Sequence, residues 1–167
     1  MTADELRDFY RRVGGAVWHL QYIEDILVNF LALRIIHERR CAGRTVDVPE
    51  AEALLGDKRK LTLGPLIESC VSKKIIPRAL VARFEEFKTE RHWLVHRSMI
   101  ENSDDLYLAS SREAVFTRIA SIQEEARSLG HILFHDLEAW ITAHGVSMDW
   151  VGRTADHEMR KLKGLDE

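Results

Sequence analysis

The sequence predicts an all-α protein, an antiparallel bundle of four to five helices. Three observations carry that expectation. Only three prolines occur in 167 residues. Three segments repeat apolar residues at steps of three and four over long stretches. No alternating strand pattern of comparable length competes with them. The length suits one bundle domain over 1–145, followed by a polar tail over 146–167 that forms one weak helix or stays irregular.

The first helix is expected at about 4–39. Val13, Val17, Leu20, Glu24, Leu27, Leu31 and Arg34 fall on one stripe. Ile23, Ile26, Phe30 and Leu33 form a second stripe beside it. A helix apolar on two sides must bury both, so one side is expected to face its own bundle and the other a partner subunit. Gly14-Gly15 is an expected weak point or kink.

Residues 40–60 read as a connection with Gly43, Pro49 and Gly56, and with a short helix at about 50–55. A helix at about 62–73 starts near Thr62 and carries Leu66, Ile67 and Val71. Pro77 sits where a first-turn proline would, opening a long helix that reaches at least Arg97. Leu80, Phe84, Phe87, Arg91 and Leu94 share its stripe. The segment 101–109 reads as a turn and then a short extended piece. Ser110 with Glu113 has capping-box spacing before the last long helix, expected at about 111–143. That helix carries Val115, Ile119, Ile122, Ala126, Leu129, Leu133 and Trp140, and Gly145 ends it. Trp18, Trp93, Trp140 and Trp150 are expected in the core or at an interface, with Trp93 at a dimer contact or under the tail.

Composition narrows the class of function. With 46% hydrophobic and 31% charged residues, the chain is expected to fold as a soluble globule. No apolar run approaches the roughly 18 residues needed to span a bilayer. MTADELRDFY lacks a basic region followed by an apolar block, so no signal peptide and no membrane partner are expected. Cys41 and Cys70 make no CxxC pair, which fits a reducing cytoplasm. The net charge of −3 disfavours an extended phosphate-tracking surface, while leaving room for a pocket that grips one or two phosphates. The basic clusters Arg34 to Arg44, Lys58-Arg59-Lys60 and Lys73-Lys74 read as solvated surface.

Two charges interrupt the apolar stripes. Glu24 lies in the first helix and Arg91 in the 77–97 helix. Each is costly to bury alone, so a Glu24–Arg91 pair is expected, with the carboxylate taking the bidentate grip that arginine favours. Asp25 is the substitute partner. The pair either fixes helix register or orients Arg91 for a phosphate. In a straight helix turning about 100° per residue, His92 and His96 lie about 40° apart, and Arg91 and His96 about 140° apart. Arg91 and His96 therefore meet only where the helix ends or bends, or where a second chain completes the site.

Arg91, four intervening residues and His96, with the polar His92 directly after the arginine, resemble the R-x4-H signature of the HEPN superfamily. The LQYIEDIL pattern of helix one and TLGPLIES before the motif helix are similar to that family too, so that the resemblance spans about 10–143. It implies an all-α HEPN-like bundle that forms a homodimer, with the arginines and histidines of both protomers close across the interface. It also implies a metal-independent ribonuclease acting on an RNA substrate, with an antitoxin protein as a further partner in a toxin–antitoxin or defence setting. In the branch paired with a nucleotidyltransferase, a tyrosine often stands two positions after the histidine. Here that position is Ser98, so the resemblance extends to the ribonuclease pair and not to nucleotide transfer there.

RNA cleavage without a metal needs a group that takes the 2′-hydroxyl proton and a cation that stabilises the phosphorane. Histidine exchanges protons near neutral pH, and arginine bridges phosphate oxygens. The resemblance assigns proton transfer to His96 and the phosphate to Arg91, with His92 assisting and Glu24 supporting. No cofactor is expected. The i,i+4 pairs His92/His96 and His131/His135, the latter beside Asp136, lack an HExxH context, so no metal is expected either. The alternative reading is a non-catalytic helical dimer of the same fold that binds a nucleotide, RNA or a protein.

Overall fold

The computed structural model describes residues 2–145 and 147–163. Among them every regular element is helical and no strand occurs. No helix of the described residues is long and apolar enough to cross a membrane. The chain divides into two compact units, Met1–His131 and Ile132–Glu167. The division falls within a helix, upstream of the 145/146 boundary expected from composition.

Helix α1 spans Ala3–Cys41. It begins at a T-x-x-E capping box that the periodicity does not reveal. The Thr2 hydroxyl accepts the Glu5 N–H at 3.3 Å, and the Glu5 carboxylate accepts the Thr2 N–H at 2.6 Å. Leu20, Leu27 and Leu31 of the first stripe are buried. So are Ile23, Ile26 and Phe30 of the second, and only Leu33 is exposed. The second stripe is thus covered within the chain, because α1 packs against both α2 (Val48–Arg59) and α3 (Leu63–Ser72). It gives no reason for a partner subunit.

Gly14 and Gly15 do not break α1. The nearest side chain to Gly15 is Gln123, at 3.7 Å from where a Cβ would stand. Gly130 meets Tyr22 in the same way at 3.8 Å. A Cβ at either position would make only ordinary contacts, so α1 and α6 (Ala109–Ala143) pack side by side here without needing glycine. Phe9 stacked on Phe116 with centroids 6.1 Å apart, and the Arg112–Glu5 ion pair at 2.6 Å, tie the same two helices.

The connection after α1 is more helical than its glycines and proline suggest. Asp47 caps α2 by accepting the Glu50 N–H at 2.8 Å, and Pro49 lies in the first turn, where its missing N–H costs nothing. Pro77 precedes a single 3₁₀ turn at Arg78–Leu80, and α4 follows at Val81–His92. Phe84 and Phe87 are buried there, each contributing about 1.5–3 kcal/mol of apolar burial. Next come a π-helical turn at Trp93–Arg97 and the short α5 at Ser98–Glu101.

The extended piece expected before the last long helix is replaced by a 3₁₀ turn at Asp105–Tyr107, and Leu108 alone after it has extended angles. Since α6 begins at Ala109, Ser110 lies inside its first turn and cannot cap it.

In the second unit, Gly145 takes φ +83 just beyond α6 and the tail forms α7, Met148–Leu162. Trp140 stacks on His144 with centroids 4.2 Å apart. Val146, residues 164–167 and the side chain of Trp150 lie outside the described residues. Trp18 is 72% exposed, so of the two expected places, core or interface, it does not occupy the core.

Candidate active site

The π turn decides how the motif residues are presented. Its i→i+5 geometry appears where the Ser98 N–H donates to the Trp93 carbonyl instead of the Leu94 carbonyl. The Ser98 hydroxyl donates to the Leu94 carbonyl at 2.7 Å. Ser98 is buried, and its own carbonyl accepts the Asn102 amide at 2.8 Å. Ser98 is therefore a backbone brace that points inward.

An i→i+5 ring closes after more residues than an α turn. Residues five apart come nearer to one face than a straight α-helix allows. Arg91 lies two residues before this turn and His96 within it. WLVHR thus departs from a straight helix, but the ring contact of His96 is with His92, and among the described residues no contact joins His96 to Arg91.

Arg91 is held by Glu24, with Nε donating to Oε1 at 3.1 Å. The expected partner is the observed one, with two differences. The pair is half-buried, with side chains 30% and 28% exposed, and the contact is single rather than bidentate. Held through Nε alone, the guanidinium has its terminal nitrogens without a hydrogen bond among the described residues. Asp25 is no substitute partner. It faces Arg59 at 3.4 Å and accepts the Asn29 amide at 2.9 Å.

His92 and His96 are both exposed, with ring centroids 5.0 Å apart. Around them lie exposed apolar side chains: Val95, Met99 and Ile100. Arg97, also exposed, pairs with Glu101 at 2.8 Å.

Trp93 lies in the chain's own core, 5% exposed, and not at an open contact surface. It stands at the end of α4, its N–H still donating to the Thr89 carbonyl, with its indole toward α6. There the Arg118 guanidinium lies over the indole, 3.7 Å from the ring centroid. Arg118 also makes a two-point contact with Glu90, both distances 2.8 Å, and this hydrogen bonding raises its pKa further above the ordinary value. Sequence reasoning did not find Arg118. Its signal is a cross-helix contact 28 residues from Glu90, which no local spacing encodes. The indole N–H of Trp93 is buried without a hydrogen-bond partner among the described residues.

Arg118 lines two hollows. One, of about 300 Å³, runs between α4 and α6 and includes Arg83, Glu90 and Glu125. Arg83 grips Glu125 at 2.8 and 2.9 Å there. The other, of about 360 Å³, includes Trp93, Asn102 and Asp105.

Among the described residues no group of three or more His, Cys, Asp or Glu is placed to hold a metal ion. His135 lies 3.4 Å from Glu138. Cys70 is buried, and desolvation pushes its thiol up to about 12, which makes it inert. The basic clusters are largely paired on the surface: Arg39 and Arg44 with Glu50, Lys60 with Asp57, and Lys73 with Glu38. No protein-family model, curated protein or solved structure matches this chain at a significant level.

Proposed function

We propose that the chain is a metal-independent endoribonuclease of the HEPN type. In this reading it works as a homodimeric helical bundle in the cytoplasm, in a toxin–antitoxin or defence setting. The observation that carries the reading is the π turn at Trp93–Arg97. It interrupts the helix that bears the R-x4-H pattern at the point where a bend would bring the two residues nearer to one face. His96 takes the proton from the ribose 2′-hydroxyl as the 2′-oxygen attacks phosphorus. The bond from phosphorus to the 5′-oxygen breaks, and His92 returns a proton to the leaving oxygen. Arg91, oriented by Glu24, holds the phosphorane oxygens with its terminal nitrogens. The products are a 2′,3′-cyclic phosphate and a free 5′-hydroxyl. The exposed Val95, Met99 and Ile100 beside His96 supply the surface on which a second copy brings its own motif to the same cleft.

One observation favours the second reading, a non-catalytic helical dimer that binds a nucleotide, RNA or a protein. The arginines around the motif are matched by carboxylates: Arg91 by Glu24, Arg97 by Glu101 and Arg118 by Glu90. A site so neutralised attracts polyanions weakly.

The two readings separate in one assay. Nuclease-free protein is incubated with mixed RNA in EDTA, and the ends of the products are identified. Wild-type protein is expected to yield cyclic phosphates. Arg91→Ala and His96→Ala are each expected to lower the rate by about 10²-fold or more, with unchanged helicity. Equal behaviour of wild type and His96→Ala establishes the non-catalytic reading.

A further inference from the structure

We propose that an open groove between the end of α3 and the start of α4 docks an acidic, amphipathic segment of a protein partner. The groove has a volume of about 870 Å³. Val71, Ile76, Pro77, Val81 and Ala82 form its apolar lining, and Lys74 and Arg78 stand with them as its two cations. Neither cation has a carboxylate partner among the described residues, whereas the adjacent Lys73 is paired with Glu38. Apolar surface flanked by unmatched positive charge is complementary to a helix with an apolar stripe and acidic flanks.

The backbone at Lys74 fixes where this charge stands. Helix α3 ends in a Schellman motif: the Ile75 N–H donates to the Cys70 carbonyl at 2.8 Å, and the Lys74 N–H to the Val71 carbonyl at 3.0 Å. The residue before Ile75 needs a left-handed conformation, which glycine adopts freely. Here it is Lys74, at φ +55, the one non-glycine residue with positive φ among those described. A lysine held against its conformational preference beside an apolar groove keeps its charge there at a cost in stability.

Other occupants fit less well. The lining has no aromatic ring for a nucleobase to stack on. The groove is open, whereas small-molecule sites enclose most of their ligand. It contains none of Arg91, His92 and His96, so the proposal is independent of the ribonuclease reading.

The test is to pan a displayed library of random peptides of about 16 residues against the full chain. Binding is then measured to wild type, Arg78→Ala, Lys74→Gly, the double variant Lys74→Glu/Arg78→Glu, and His96→Ala. Decanoate and a single-stranded RNA are tested as alternative ligands. Enriched peptides are expected to combine apolar residues with Asp or Glu, and to perturb the amide signals of Val71, Ile76 and Val81. Arg78→Ala is expected to weaken binding about threefold, the double variant more than tenfold, and His96→Ala not at all. Lys74→Gly is the decisive variant: its thermal midpoint is expected to rise by about 2–4 °C while its binding weakens. Unchanged binding in Lys74→Gly or in the double variant overturns the proposal. So does a panel without acidic binders, or a groove footprint produced by decanoate or RNA in place of the peptides.

Discussion

Arg118 shows how a single side chain can set the presentation of a motif it does not belong to. It spans from the Glu90 carboxylate to the face of Trp93, and so clamps the two ends of the stretch that contains Arg91 and His92. The cation–π contact contributes about 0.5–1 kcal/mol at a partly exposed site, and the two-point ion pair a similar amount after solvent screening. Arg118→Ala is therefore expected to lower stability by about 1–2 kcal/mol. Urea unfolding should show a lower midpoint with an unchanged slope. A cycle with Glu90→Gln tests the coupling: the double variant is expected to be less destabilised than the sum of the two single changes. Strict additivity would mean that the contact contributes nothing. Glu24 acts on Arg91 through one bond only, which anchors the guanidinium and leaves its terminal nitrogens without a hydrogen bond among the described residues.

At the scale of elements, what the sequence made legible follows from the reach of each signal. Apolar periodicity located α1, α3, α4 and α6, because burial of one face is written at every third or fourth residue. The Glu24–Arg91 pair was legible for the same reason, as two charges that break two stripes. Features that depend on one hydrogen bond were not. The Thr2–Glu5 box carries no periodic signal, Ser110 has cap spacing but lies inside α6, and Pro49 and Gly56 stand within α2 without breaking it. The π turn belongs to this group. Nothing in the periodicity of WLVHR marks an i→i+5 ring, and the separation of Arg91 from His96 called either for a bend there or for a second chain. A π turn is one residue in excess of an α-helix. Deleting the exposed Val95 is therefore expected to restore an unbroken α ladder with helicity and thermal midpoint close to wild type. RNA cleavage is expected to be lost, because the spacing of Arg91 and the following histidine changes. A folded deletion variant that still cleaves would show that the π turn has no part in the chemistry.

For the whole molecule, the outstanding matter is whether one chain or two make the site. The second stripe of α1, which argued for a partner, is buried within the chain, so that argument falls. Exposed apolar side chains also stand around the motif: Val95, Met99 and Ile100, with Tyr10 and Tyr107 beside a hollow of about 230 Å³; Trp18 and Tyr22 form a separate exposed stretch of α1. A two-fold dimer through this face would place two copies of the motif opposite each other. Mixing inactive variants tests this directly. Suppose that each site takes Arg91 from one protomer and His96 from the other. A heterodimer of Arg91→Ala with His96→Ala then has one site with both groups and one with neither. If both groups come from a single protomer, no site in that heterodimer is complete. With random pairing about half the dimers are mixed, so the co-expressed variants are expected to recover about a quarter of wild-type cleavage. Each variant alone should remain inactive, and light scattering should report a dimer throughout. Recovery would also depend on the apolar face, so adding Ile100→Asp to both chains should abolish it together with the dimer. A dimer that forms without recovery would confine the chemistry to one protomer, and then the π turn alone must bring Arg91 and His96 together.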